Sequence, residues 1–177
     1  MPVWTAIEQN KSPMVRSLHA WWLAHRGPSG IPDRHDLDPA ALRTVLPNLF
    51  ITDVEPEPFR IRYRLVGTKA VRTIGFDITG RYLDELLAET PEVPWLDYYK
   101  TVYDSRAPLL GSVVVSAKSG GTFNYEFGLF PLTQGGSDVA QIAAIEDYFD
   151  FDLTAAQLIA QPPGTGSSGT GNSGGDR

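Results

Sequence analysis

The chain has 177 residues, one domain's worth of polymer, and its formal charge of −6 argues against a broad nucleic-acid surface, which needs clustered Lys and Arg to release counterions. It contains no cysteine, so disulfides, thiol nucleophiles, Cys-type zinc sites and cysteine-linked chromophores are excluded. Seven Tyr, eight Phe and four Trp mean that rings build much of the interior.

The first residues show no basic start followed by an apolar run, and no stretch approaches the roughly 20 apolar residues a bilayer requires. The expectation is a cytoplasmic protein with no membrane segment and no nucleic-acid partner. Pro13 suits a first helical turn, and Met14, Leu18, Trp21 and His25 recur at helical spacing, so an amphipathic helix should run to the Gly27-Pro28-Ser29-Gly30 stop. Trp21 and Trp22 point about 100° apart on such a helix. Met14, Leu18, Trp21 and Trp22 therefore read either as a homodimer surface or as the inner face of a helix packed on its own domain.

Asp38 has the side chain of an N-cap and Pro39 the fixed φ of a first helical residue, which predicts a short helix to about Leu46, closed by Pro47. Asp33, His35, Asp36 and Asp38 mix carboxylates with an imidazole, but a capped turn uses the same residues. No second ligand cluster accompanies them, and no metal site is expected.

Leu49 to Val54 reads as a strand, Glu55-Pro56-Glu57-Pro58 as a turn, and Phe59, Ile61, Tyr63 and Leu65 alternate with Arg60, Arg62 and Arg64 in a second strand wet on one face. Val71 and Ile74 begin a short helix, Gly75 to Gly80 interrupts it, and Leu83, Leu86 and Leu87 share one side of a helical turn. Trp95, Leu96, Tyr98, Tyr99, Val102 and Tyr103 make a broad apolar stripe on a helix of about three turns. Three strands follow, Leu109 to Ala117, Thr122 to Leu132 and Val139 to Phe149, joined by turns at Lys118-Ser119-Gly120-Gly121 and Gln134-Gly135-Gly136-Ser137. Thr154 to Gln157 fits a capping box and predicts a brief helix before Pro162-Pro163. The Gly/Ser-rich remainder cannot bury enough to offset its ordering entropy and reads as disordered.

A leading helix, a hairpin, short helices, one longer helix and a three-strand meander follow the order of a PAS domain. Pro32-x-Arg34 with Asp36, Asp38-Pro39, Leu42 and Leu46-Pro47, then Tyr63-Arg64-Leu65-Val66-Gly67-Thr68, then Gly75-x-Asp77-x-Thr79-Gly80 and Leu83 resemble the single-domain bacterial PAS family often called PAS_5, over about residues 14–152. The resemblance implies an α+β fold, a five-stranded antiparallel sheet with helices on one face, here preceded by the amphipathic helix. The expected divisions are an extension at 1–12, a PAS-like domain at 13–153 and a short helix with a disordered tail at 154–177. It also implies a sensory or adaptor role, non-catalytic, with output through a protein partner or a homodimer, and it brings no catalytic residues.

No cofactor is expected. A flavin adduct or thioester-linked chromophore needs a thiol, and His19, His25 and His35 all precede the sheet, away from where a haem ligand would sit. A noncovalent small molecule between the long helix and the sheet would be lined by some of Tyr63, Leu65, Ile74, Trp95, Tyr99, Tyr103, Val113, Val115, Tyr125, Phe127 and Ile142, or these residues are plain core. Arg60, Arg62 and Arg64, about 7 Å apart along one strand face, form either an anion-binding row or a solvated face meeting acidic neighbours such as Glu126. Two other readings stand beside the sensor. One is a small enzyme on a cone-like α+β fold, using Glu126 with Tyr125 or Tyr98 for acid–base chemistry; the other is a ligand-free interaction domain.

Overall fold

The structure is a computed structural model. It describes residues 2–87, 93–116 and 122–148, and only the backbone of 115, 116, 122 and 123. The Lys118 to Gly121 turn, the Thr154 helix and the C-terminal tail lie outside the described residues.

Ten elements follow in chain order: β1 (Val3–Trp4), α1 (Pro13–Ala24), β2 (Leu49–Pro56), β3 (Phe59–Val66), α2 (Thr68–Ile74), α3 (Leu83–Leu87), α4 (Trp95–Ser105), β4 (Leu109–Ser116), β5 (Thr122–Leu132) and β6 (Gln141–Asp147). The strands form one antiparallel sheet in the order β1-β4-β5-β6-β2-β3. The last strand of the meander thus lies beside the first strand of the opening hairpin. The sheet has six strands where five are expected, because Val3 and Trp4 pair with Gly111 and Leu110 and add a short strand to the β4 edge.

Alternation along each strand separates two faces. One carries Phe127, Leu129, Ala144 and Phe50 and lies under α4. The other carries Glu126, Gly128 and Phe130 and is covered by α1. A Cβ on Gly128 would stand 3.0 Å from a Val15 methyl and 2.6 Å from the Phe130 ring, so the missing side chain lets helix and strand approach. Helices therefore pack on both faces, the leading helix on the one left open by the others.

α1 begins where Ser12 Oγ accepts the Val15 amide at 3.1 Å, with Pro13 at the first helical position. Its buried stripe is Val15, Leu18, Trp21 and Trp22, with Met14 only half-buried. His25 falls outside that stripe: it is exposed at the helix end and stacks on Trp21 at 4.9 Å. Trp22 Nε1 donates to the Pro131 carbonyl at 2.8 Å, so this ring is anchored as well as buried. Full burial of a side chain the size of Leu18 or Phe130 contributes about 1.5 to 3 kcal/mol. The same contacts leave Leu18, Trp21 and Trp22 little surface for a second copy.

Asp38 to Leu46 is a run of turns and not the expected helix. Asp38 caps through the Ala40 amide at 2.9 Å, but only Leu42 and Leu46 close helical hydrogen bonds, to Asp38 and Leu42, before Pro47 intervenes. So few bonds do not repay nucleation of a regular helix.

In β3 the pairing skips a residue: Ile51 faces Leu65 and Thr52 faces Tyr63, leaving Arg64 as the extra residue of a bulge. The strand turns over there. Leu65 is consequently 40% exposed, against the expectation that it lines the interior. Gly67, just beyond, holds the start of α2 against the preceding turns, where a Cβ would meet the Leu46 carbonyl oxygen at 2.3 Å.

Candidate functional site

The site forms where α4 crosses the sheet. Cross-strand pairing sets Glu146 opposite Phe127 and Ala144 opposite both Leu129 and Phe50. Tyr63 comes from β3, and Trp95 and Tyr99 come down from α4. Together with Ile145 these residues enclose a cavity of about 40 Å³. Trp95 meets Phe127 edge-on at 4.8 Å, and Phe50 leans on Tyr63 at 5.9 Å, so the walls are rings held by rings.

Glu146 is the one carboxylate of this lining. It keeps some accessible surface, yet its carboxyl is surrounded by protein, and burial raises its pKa to about 7, while the hydrogen bond that Tyr148 donates to Oε2 holds it lower than burial alone would. Burial also pushes the Tyr63, Tyr99, Tyr125 and Tyr148 phenols well above their ordinary range, with the Glu146 charge adding to each. These phenols stay neutral, and that of Tyr148 donates to Glu146.

Tyr63, Trp95, Tyr99 and Phe127, all expected in a pocket, do line this cavity. Tyr125 is buried beside it, its ring 4.6 Å from Tyr148. Val113 and Ile142 are fully buried elsewhere in the core, Ile74 packs on the core's margin, and Tyr103 rests on Phe59 at 5.6 Å. Leu65 is outside, and the Val115 side chain is beyond those described. Phe50, Leu129, Ala144, Ile145 and Glu146 were not expected. Ala144 and Glu146 had a signal, since period two from Ile142 continues through both.

Glu126 lies on the opposite face from Tyr125 and forms no pair with it. Its Oε2 accepts the Lys11 and Ser12 amides at 2.6 and 2.7 Å, while Ser12 Oγ donates to Asp147, its cross-strand neighbour, at 2.7 Å. The carboxylate is spent on starting α1. It does not meet the arginines of β3 either, correcting that expectation. Arg60 binds Asp84 at 2.9 Å and lies over the Tyr82 ring at 3.6 Å, Arg62 reaches the Gly80 carbonyl, and Arg64 is 3.5 Å from Asp53. The bulge breaks the even row that strand alternation predicts.

Asp33 is likewise engaged, accepting the Gly135 amide at 2.7 Å, the Thr133 hydroxyl at 2.8 Å and the His35 amide at 2.9 Å. Among the described residues no group of three or more His, Asp or Glu is placed to hold a metal ion.

A family model described as a PAS domain, PAS_5, matches residues 10–145, which include every element from α1 to the cavity-lining β6 residue Ile145. The chain belongs to the PAS_5 family of PAS domains. No curated protein matches it. Among solved structures, this PAS domain is similar to an RNA-binding light-oxygen-voltage receptor at 18% identity and TM-score 0.46, covering 73% of this chain and 39% of that one. It is similar to the Aureochrome1 light-oxygen-voltage domain in its light state at 18% identity and TM-score 0.45, covering 67% and 93%. A PAS domain of a protein from Colwellia psychrerythraea gives 11% identity and TM-score 0.41, covering 63% and 98%. A flavin does not fit the present cavity: about 40 Å³ is well below the roughly 300 Å³ at which cofactor pockets begin.

Proposed function

We propose that this PAS domain is a non-catalytic sensory or adaptor module that holds a small molecule beneath α4 and signals through association with a protein partner or a second copy. The observation that carries the reading is the cavity itself, ring-walled with one carboxyl group in its lining. A mostly apolar, aromatic lining with one polar group placed in it is the composition small-molecule sites favour. β6 supplies a route outward, because its residues alternate between the cavity and the α1 face.

Native mass spectrometry of the purified chain tests this. A bound mass lost on denaturation, with a subunit count or partner affinity that changes when that mass is removed, is the expected result. A ligand-free chain whose association is unaffected by any small molecule overturns it.

A further inference from the structure

We propose that the cavity takes a small alkylammonium ion, its charge set between the Glu146 carboxylate and the faces of the surrounding rings. This rests on the sensory reading above and specifies its ligand.

Three features converge. The first is the wall: Trp95, Tyr99, Tyr63, Phe50 and Phe127 surround one space, and aromatic faces attract a cation within about 6 Å of the ring centre. Weakly hydrated alkylated ammonium groups gain most from such a lining, because little solvation is lost on entry. The second is the carboxylate. Tyr148 donates to its Oε2, no described residue donates to Oε1, and no described Lys, Arg or His is paired with it. Its facing titratable groups are the phenols of Tyr63 on β3, Tyr99 on α4, Tyr125 on β5 and Tyr148 after β6, all neutral. A negative charge there meets dipoles but no counter-charge. The third is size. About 40 Å³ holds the equivalent of roughly three waters, which admits a ligand of about three to five heavy atoms and excludes nucleotides and large rings.

The protonation balance follows. Near and below pH 7 the buried Glu146 carries a proton in the empty cavity. The ammonium ion enters still protonated, and the Glu146 proton leaves to buffer, so charge inside is neutral before and after. Affinity should therefore fall about tenfold per pH unit below 7 and level off above it.

The test is calorimetry with ethylammonium and trimethylammonium chloride, neutral ethanol and tert-butanol, and anionic propionate, in phosphate at pH 6, 7 and 8, a buffer free of competing amines. Ammonium ions should bind at least tenfold tighter than their neutral counterparts at pH 8. Glu146→Gln, which keeps an oxygen for Tyr148 to donate to, should abolish that advantage without lowering thermal stability. Trp95→Leu should weaken the cations about five- to tenfold and the alcohols far less. Equal binding of trimethylammonium and tert-butanol, or an advantage that persists in Glu146→Gln, overturns the ammonium assignment and leaves the sensory reading standing. No binding of any probe, together with a ligand-free chain in native mass spectrometry, overturns both.

Discussion

Glu146 and Asp147 are neighbours in β6 whose carboxylates lie on opposite faces of the sheet. The first faces the cavity beneath α4, and the second accepts the Ser12 hydroxyl at 2.7 Å where α1 begins. Adjacent residues of a strand must point apart, so the cavity lining and the start of α1 are held by consecutive residues of β6. The geometry joins the cavity to an element on the far side of the sheet through one peptide unit.

The Glu146 carboxyl should make the protein less stable as pH rises. Its pKa is raised from an ordinary 4.5 to about 7, so between those values the folded chain holds a proton that the unfolded chain has released. Stability is highest below about pH 4.5 on this account, falls towards pH 7 and is level above it, by on the order of 2 to 3 kcal/mol after allowance for the residue's partial exposure. Urea unfolding of wild type and Glu146→Gln from pH 4.5 to 8 checks it. The difference between the two curves should grow with pH; parallel curves would show that Glu146 titrates normally.

The network at the start of α1 should matter for stability and not for the cavity. Ser12→Ala removes the acceptor for the Val15 amide and the donor to Asp147 and should cost about 1 to 2 kcal/mol. Glu126→Ala strands the Lys11 amide and leaves the Ser12 amide only the Asn10 side chain, and should cost about 1 to 3 kcal/mol. Tryptophan fluorescence during urea unfolding reads both, because Trp21 and Trp22 belong to the same helix. A Glu126→Ala protein as stable as wild type would show that the buried carboxylate does not hold the helix.

Gly67→Ala should be among the most damaging small substitutions in the chain. The added carbon would lie 2.3 Å from the Leu46 carbonyl oxygen and 2.4 Å from that of Pro47, both backbone atoms that cannot swing aside. A loss of more than about 3 kcal/mol, or failure to accumulate as soluble protein, is expected. Gly136→Ala, where the new carbon meets nothing within 4 Å, is the control, and equal thermal shifts for the two would contradict the close approach.

Asp33 should behave oppositely to Glu146 with pH. The His35 amide first, then the Gly135 amide and Thr133 hydroxyl, hold its carboxyl well below the usual 3.8. A depressed carboxylate contributes stability above its unfolded value and loses it on acidification. Asp33→Ala should therefore cost about 1 to 3 kcal/mol at pH 7, from the hydrogen bonds lost, and the gap should narrow below about pH 4. A penalty that is constant from pH 7 to pH 3 would assign the effect to shape and not to charge.

The sheet was legible because its signals are local. Phe59, Ile61 and Tyr63 announce a strand by alternation, the prolines at 56 and 58 bracket a turn, and Trp95 to Tyr103 show a helical stripe. Leu65 was placed wrongly for a reason no periodicity reveals: the bulge at Arg64 depends on how β3 pairs with β2, and pairing is a property of two segments. The same holds for Glu146. An acidic residue near a strand end reads as an exit to solvent, and only α4 folding across β6 buries it. Glu126 reads in sequence as an acid–base partner for Tyr125 or Tyr98 or a neighbour of the arginines, and its actual role was hidden because the amides it accepts come from residues more than a hundred positions earlier.

The extra residue at Arg64 also bears on what the molecule avoids. β3 is the outermost strand on its side, and its rim is partly covered: the Tyr63 amide donates to the Arg81 carbonyl at 2.9 Å, the Gly80 amide donates to the Tyr63 carbonyl at 2.7 Å, and Arg62 pairs with Tyr82. A newcomer would have to pass that cover, and with Arg64 out of step one in phase with Phe59 and Ile61 would be out of phase by Leu65, its greasy and wet sides exchanged. The covering segment and the skipped position together work against filament growth from this rim, a safeguard for a domain whose proposed role depends on finding the right partner.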